Sequence, residues 1–304
     1  MLFISELTIG GTFLNRQNYD FAVIGGDMRQ FFITEQLIDE GYRVCQYALC
    51  EKSEKAFSAD CIEDAVSSAF SVIAPIPLMR NKLINHQTGE MNLIPDKLTA
   101  SLQEGQYFFA GNIPAFFKDT LSAKGVRVFD LMNDEELTLY NSIATAEGAI
   151  CEAIAESSKN LSHSPCLVLG YGKCGKSLAT YLKGLFCEVT VCARNPRARA
   201  EAEIVTDGTI DMKKLKDSIG HFSFIFNTIP SVLLTHELLE KIQPDALIID
   251  IASAPGGVDY DAAEKLHLAA HLVPQLPGRY SPVSSANAIL RSVKSNLPFI
   301  RKEF

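Results

Sequence analysis

What the chain lacks removes several classes at once. No apolar run approaches the roughly 18 residues of a membrane span, and the opening Met1-Leu-Phe-Ile-Ser-Glu6 has no basic start of a secretory signal. A cytoplasmic protein with no membrane partner is expected. Positive charge is not in excess either: 28 Lys and Arg stand against 36 Asp and Glu, a net charge of -8 that argues against a nucleic-acid surface. The eight cysteines form no C-x-x-C pair and fall mostly in apolar runs, so neither a disulfide frame nor a metal site is expected. The six histidines show no metal-ligand spacing, and His86 and His271 read as surface or satisfied residues rather than catalysts. No low-complexity tract interrupts the 304 residues, which are 47% hydrophobic and long enough for two ordinary domains.

What is present centres on Val168-Leu-Gly170-Tyr171-Gly172-Lys173-Cys174-Gly175-Lys176, a G-x-G-x-x-G between an apolar run and a helical pattern. Chemistry explains the spacing. Gly170 permits the tight strand-to-helix turn, Gly172 lets a pyrophosphate approach bare backbone, and Gly175 lets helix and strand pack closely. The helix N-terminus then offers free amides to the phosphates. Cys166 to Leu169 reads as a buried strand, Lys173 to Phe186 as a helix and Cys187 to Cys192 as the next strand, which together make one β-α-β unit. Cys174 is either a thiol whose pKa falls at the helix N-terminus or simply a small residue that fits.

The tip of the second strand speaks to the cofactor. NAD sites usually place an acid there for the ribose hydroxyl, whereas a 2′-phosphate calls for cations. Here the tip is Ala193-Arg194-Asn195-Pro-Arg197-Ala-Arg199, with no acid before Glu201. Arg194 and Arg197, beside Asn195, are expected to grip the 2′-phosphate, so NADP is expected over NAD. The plain alternative is a solvated basic helix start.

The first half repeats the alternation, with strands at Phe21–Ile24, Arg43–Tyr47, Ser71–Ala74, Tyr107–Ala110 and Arg127–Asp130 and a helix from Met28 to Glu40. Its turn Gly25-Gly26-Asp27 lacks the third glycine, so a Rossmann-like domain without nucleotide is expected. A helical pattern from Asn133 to Glu156, interrupted at Tyr140 to Thr145, joins the halves. The expected fold is α/β, two doubly wound Rossmann-like domains with the active site in the cleft between them. The expected boundaries are 1–140 for a catalytic and substrate domain, 141–160 for a connecting helix, 161–280 for an NADP-binding domain and 281–304 for a helix returning to the first domain.

Loops after successive strands supply the remaining candidates. Thr228, Ile229 and Pro230, then Ala252 and Ser253, then Pro277 and Gly278, are expected at the cofactor. Asp27 and Arg29 open a helix in the first domain. Ser142 and Thr145 are expected to cap the second part of the connecting helix, with its free amides suited to a carboxylate. Glu147 is either a general acid or base or only a favourable acid of a first helical turn.

In combination, Ala22-Val-Ile-Gly-Gly-Asp-Met-Arg-Gln30, Tyr140-Asn-Ser-Ile-Ala-Thr-Ala-Glu-Gly148, the 170–175 turn, Asn227-Thr-Ile-Pro-Ser231, Asp250-Ile-Ala-Ser253 with Pro255-Gly-Gly257, and Leu276-Pro-Gly278 resemble the dipicolinate synthase A subunits of endospore-forming bacteria. The resemblance runs from about Phe21 to Leu290. It implies a catalytic domain and an NADP domain like those of 2-hydroxyacid dehydrogenases, working in the mother cell of a sporulating bacterium. The implied activity oxidises a dihydrodipicolinate-level intermediate of the lysine pathway to dipicolinate, in company with a flavoprotein-like B subunit. A homo-oligomer is expected. In this reading Arg29, Ser142, Thr145 and Arg279 hold the cyclic dicarboxylate, and Glu147 or Asp27 takes the proton. Three positions depart from the family pattern: Ala254 replaces an arginine, Val283 a lysine, and Arg279 an apolar residue. Two rival functions stay open, another two-domain NADP-dependent dehydrogenase of a 2-oxo or 2-hydroxy acid, and a non-catalytic nucleotide-binding subunit.

Overall fold

The computed structural model describes residues 18–89 and 93–298, so Met1–Glu6, read above for a signal, lie outside it. The chain divides into two compact units, one reaching to Leu137 and resuming at Pro282, the other Thr138–Ser281. The first unit contains β1 (Tyr19–Ile24), α1 (Met28–Asp39), β2 (Val44–Tyr47), β3 (Phe57–Ser58), α2 (Ile62–Ser67) and β4 (Ala69–Ile73). A hairpin of β5 (Met79–Arg80) and β6 (Leu83–Ile84) follows, then α3 (Pro95–Ser101), β7 (Tyr107–Ala110), α4 (Ala115–Ala123) and β8 (Arg127–Asp130). Helix α5 (Glu135–Glu156) leads into the second unit. There the order is β9 (Pro165–Leu169), α6 (Lys173–Gly184), β10 (Glu188–Ala193), α7 (Pro196–Glu203), β11 (Gly208–Asp211), α8 (Leu215–Ser218) and β12 (Phe224–Asn227). It ends with α9 (His236–Leu239), β13 (Leu247–Asp250), α10 (Tyr260–Lys265), β14 (Ala269–Leu272) and α11 (Leu276–Tyr280), before α12 (Pro282–Ser295).

Each unit is built on a six-stranded parallel sheet, ordered β3-β2-β1-β4-β7-β8 in the first and β11-β10-β9-β12-β13-β14 in the second. Counted within each unit, both orders are 3-2-1-4-5-6, the doubly wound Rossmann arrangement that the alternation of apolar strands and helices led us to expect. The strands are apolar on both faces because helices cover both. On β1, Ala22 and Ile24 enter one core while Phe21 and Val23 enter the other. On β9, Cys166 and Val168 face one core and Leu167 and Leu169 the opposite one. Helix α12 joins the core of the first unit through Ala286, Ile289, Leu290 and Val293.

One expectation about helices is corrected. The pattern breaks at 140–145, yet α5 runs unbroken from Glu135 to Glu156. Ser142 Oγ donates to Leu139 O at 2.7 Å and Thr145 Oγ1 to Asn141 O at 2.7 Å, so both hydroxyls bond back along the helix instead of starting one. The segment therefore has no free first-turn amides to offer a carboxylate. Among the described residues, no helix is long and apolar enough to cross a membrane.

Candidate dinucleotide site

Strand β9 delivers the chain to Gly170, whose φ of +94° makes the sharp exit that a side chain would oppose. A Cβ at Gly170 would stand 2.4 Å from Thr228 Oγ1, and one at Gly175 would stand 2.3 Å from the Gly170 carbonyl. Strand, turn and helix are thus held at contact distance. At Gly172 the situation reverses, because nothing lies within 4 Å of where a Cβ would be. Gly172 is also the N-cap of α6 and no side chain caps that helix, so its positive dipole end lies beside the open space at Gly172 with no side-chain acceptor on its first turn. This is an anion seat of the kind a pyrophosphate takes.

A cavity of about 500 Å³ opens beside it, lined by Gly170 and Tyr171 from the turn, Arg194 and Asn195 from the tip of β10, Met212 after β11 and Ile229 after β12. Arg194 is exposed. Asn195 Oδ1 accepts from Arg197 N at 2.9 Å and so caps α7. Glu201, the first acid beyond the tip of β10, is engaged elsewhere: Lys176 Nζ reaches it at 2.7 Å and Arg197 Nε at 3.0 Å. Those bonds, Lys176's first, hold its carboxyl below the usual range. Lys176 also stands 5.5 Å over the Tyr171 ring. The lining of the cavity therefore includes one cation, Arg194, and no acid.

Arg199 is the residue that sequence reasoning left out. Its Nη1 donates to the carbonyls of Ala193 at 2.8 Å and Arg194 at 3.0 Å, and its Nη2 pairs with Asp211 Oδ2 at 2.8 Å. It fixes the backbone from which Arg194 projects. An arginine six positions beyond a strand end carries no sequence signal for such a role.

The corresponding turn of the first unit is filled. Asp27 caps α1, accepting from Arg29 N at 3.1 Å, while its own amide donates to Gln30 Oε1 at 3.0 Å. Gly26 N donates to the Asn85 carbonyl at 2.7 Å, and that same oxygen lies 2.7 Å from where a Cβ of Gly25 would be. The chain after the β5–β6 hairpin thus covers the place a phosphate would need.

The comparisons with known proteins follow this division. A family model for the N-terminal domain of the dipicolinate synthase A subunit matches residues 20–132, and one for the NAD-binding domain of D-isomer specific 2-hydroxyacid dehydrogenases matches residues 139–265. The dipicolinate synthase A subunit of Bacillus subtilis (strain 168) is 30% identical over 282 residues, covering 91% of this chain and 94% of the relative. The chain belongs to the family of dipicolinate synthase A subunits. Its second unit is a nicotinamide-dinucleotide domain of dehydrogenase type. The crystal structure of the Bacillus subtilis protein is 26% identical with a TM-score of 0.76, covering 92% of this chain and 95% of that one. The structure of its counterpart from Bacillus halodurans shares the fold at 24% identity, with a TM-score of 0.79 over 91% of this chain and 97% of that one.

The remaining residues expected at the cofactor occupy four settings. Lys173 and Cys174 form the first turn of α6, and burial pushes the Cys174 thiol up, with Thr145 acting in the opposite direction, so the helix N-terminus does not activate it. Thr228 touches the turn at Gly170, and Ile229 lines the cavity, with Pro230 beyond it. Ala252 is buried at the end of β13 and Ser253 exposed after it. Pro277 and Gly278 lie in α11, which packs on α5: a Cβ at Gly148 would stand 2.9 Å from the Tyr280 ring and 3.0 Å from Leu276.

The residues expected at the substrate have partners of their own. Asp27 and Arg29 are 3% and 4% exposed and pair through Nε–Oδ1 and Nη2–Oδ2, both 2.8 Å, and Arg29 also donates to the Ile76 carbonyl at 2.7 Å. Along α5, Ser142 Oγ meets Ser177 Oγ at 2.8 Å, Thr145 lies beside Cys174, and Glu147 accepts from the Tyr181 hydroxyl at 3.2 Å. These three therefore line the packing of α5 against α6. Glu147 is exposed and sits in the middle of α5, which corrects its reading as a first-turn acid. Arg279 pairs with Glu152, a buried carboxylate that also accepts from the Tyr280 hydroxyl at 2.6 Å. Sequence reasoning passed over Glu152, which looks like any acid in a long helix.

Proposed function

We propose that the chain oxidises dihydrodipicolinate to dipicolinate with NADP+ as hydride acceptor. Dipicolinate, NADPH and a proton are the products. One observation carries the cofactor choice: an open, uncapped phosphate turn lies beside a strand tip that presents Arg194 and no unpaired acid. The 2′-phosphate would meet Arg194, with Arg197 next to it, and the pyrophosphate would meet the first turn of α6 at Gly172. When bound, the nicotinamide supplies the hydride acceptor. The chain's own residues bind, orient and remove the proton. Glu147, exposed on α5 and with one oxygen unbonded among the described residues, is the proton acceptor in this reading, while Ser142 and Thr145, whose hydroxyl protons go to Leu139 O and Asn141 O, position α5 against α6 instead of donating to a substrate carboxylate. The proposed assembly is a homo-oligomer joined by a flavoprotein-like B subunit, in the cytoplasm of the mother cell.

A second reading has one observation in its favour. Arg29 and Arg279, the cations expected to hold substrate carboxylates, are each paired with an acid of the chain, Asp27 and Glu152. A nucleotide-binding protein whose partner carries the chemistry would need neither. The purified chain, given NADP+ or NAD+ and the enzymatically generated intermediate, decides between them by absorbance. NADPH and dipicolinate rising together, faster than with NAD+, is the expected outcome. Turnover that begins only when the flavoprotein-like partner is added would select the second reading, and equal rates with NAD+ would overturn the cofactor choice.

A further inference from the structure

The loops that follow β12 and β13 are tied together by one buried charge. Asp250, the last residue of β13, is 0% exposed, and no ion pair among the described residues gives it a cation. Its oxygens instead accept four hydrogen bonds. Oδ1 takes Asn227 Nδ2 at 2.9 Å and Ala252 N at 3.0 Å; Oδ2 takes Gly257 N at 2.6 Å and the Tyr260 hydroxyl at 2.8 Å. Asn227, equally buried and directly opposite Asp250 in the β12–β13 register, turns back on its own loop. Its Nδ2 donates to Ile229 O at 3.1 Å and its Oδ1 accepts from Ile229 N at 3.1 Å. The neighbouring Thr228 Oγ1 donates to Leu169 O at 2.8 Å, immediately before the phosphate turn. A Cβ at Gly257 would stand 2.3 Å from Asn227 Nδ2, so the two loops touch through this glycine. One network of hydrogen bonds and loop backbone thus runs from Leu169, at the end of β9, through Thr228, Asn227 and Asp250 to Tyr260.

Only a carboxylate of this size accepts from all four donors; an asparagine would turn an NH2 toward two of them. A buried carboxylate with no cation is costly, and a loop closure alone is served as well by neutral groups. The placement of the network suggests what the charge secures. In this sheet order a dinucleotide lies across the reversal between β9 and β12. The Arg194 cavity is on the β10–β11 side, so the other half of the molecule falls over the ends of β12 and β13.

We propose that Asp250 is a positioning residue for the nicotinamide half of the cofactor, holding the 228–231 and 252–257 loops in one relative arrangement without touching the cofactor itself. The inference rests on the cofactor reading above. The adenosine half depends on the turn and on Arg194, which this network leaves in place.

The test compares the full-length wild-type chain with Asp250→Asn and Tyr260→Phe by titration with NADP+ and with 2′,5′-ADP, which lacks the nicotinamide. Asp250→Asn should weaken NADP+ about tenfold or more, equivalent to about 1.4 kcal/mol, and leave 2′,5′-ADP nearly unchanged. Tyr260→Phe, which removes one donor and keeps the charge, should move the same ratio by a smaller factor, and it decides the matter if Asp250→Asn does not fold. The fluorescence enhancement of bound NADPH, which reports on the dihydronicotinamide alone, should fall in both. Equal weakening of both ligands, or an unchanged ratio and fluorescence in a folded variant, overturns the proposal and leaves the cofactor reading standing. A wild-type chain that binds neither ligand overturns the cofactor reading, and this inference with it.

Discussion

Arg194 projects from a backbone that Arg199 holds by both flanking carbonyls, so its guanidinium can be altered without moving the strand tip. Replacing it by aspartate removes a cation and adds an anion beside the 2′-phosphate. Charge-assisted hydrogen bonds contribute about 1.5–3 kcal/mol each, so Arg194→Asp should weaken NADP+ by about 10- to 100-fold and NAD+ by far less. Titration with both nucleotides measures this, and equal losses would remove Arg194 as the discriminator. The two candidate proton acceptors separate at the same scale. Glu147→Gln keeps the bond from Tyr181 and removes only the base, so turnover should fall by roughly 10²–10⁴ with nucleotide affinity nearly unchanged. Asp27→Asn instead leaves the buried Arg29 without its counter-charge, a change that costs about 3–5 kcal/mol. Its signature should be a lowered unfolding midpoint. A Glu147→Gln enzyme that keeps its turnover would return the base to an open question and leave Glu147 as a packing partner of α6.

At the scale of the element, the phosphate turn makes opposite demands on two of its glycines. The Cβ of Gly172→Val would have no protein atom within 4 Å, so the fold should survive while binding of either nucleotide is lost, because the side chain fills the space the pyrophosphate needs. Gly175→Ala drives a methyl against the Gly170 carbonyl, and overpacking of this kind costs about 1–3 kcal/mol. It should therefore lower stability and nucleotide affinity together. Circular dichroism melts alongside titration distinguish the two patterns, and a stable, nucleotide-binding Gly172→Val would overturn the assignment of the turn. The turn was legible in the sequence because its glycines report backbone needs directly, and the central strands because burial on both faces leaves unbroken apolar runs such as Phe224-Ile-Phe226. The edge strands β3 and β11 were not legible, because Phe57–Ser58 has two residues and Gly208-Thr-Ile-Asp211 only one large apolar side chain, whereas the edge strand β8 shows its apolar Val128-Phe129. Continuity of α5 was hidden because Asn141, Ser142 and Thr145 usually mark helix starts, and here two of the hydroxyls bond back along the helix. The Asp250 network was hidden for another reason. Sequence shows an acid at a strand end and says nothing about which four donors converge on it.

At the scale of the whole molecule, the chain holds two sheets of the same topology with opposite states of their first turns. In the second unit the turn after β9 is open and its helix uncapped; in the first, Asp27 caps the helix and the Asn85 carbonyl occupies the approach. A single nucleotide site per chain is the expectation, in the unit whose turn is open. Amide hydrogen exchange with and without NADP+ reads this directly. At about 100 times the dissociation constant a ligand stabilises the state it binds by about 2.7 kcal/mol, enough to slow exchange about 100-fold wherever opening requires release of the ligand. Protection should appear at the first turn of α6 and across 193–199. The amides of Gly25, Gly26 and Arg29, already bonded within the first unit, should show no comparable change of their own. Protection concentrated at Gly25–Arg29 with none at Lys173–Gly175 would mean that the nucleotide has chosen the other sheet. Protection at both turns with two equivalents bound would mean that Asn85 and Asp27 yield to a phosphate, and the division of labour between the units would have to be redrawn around two cofactors.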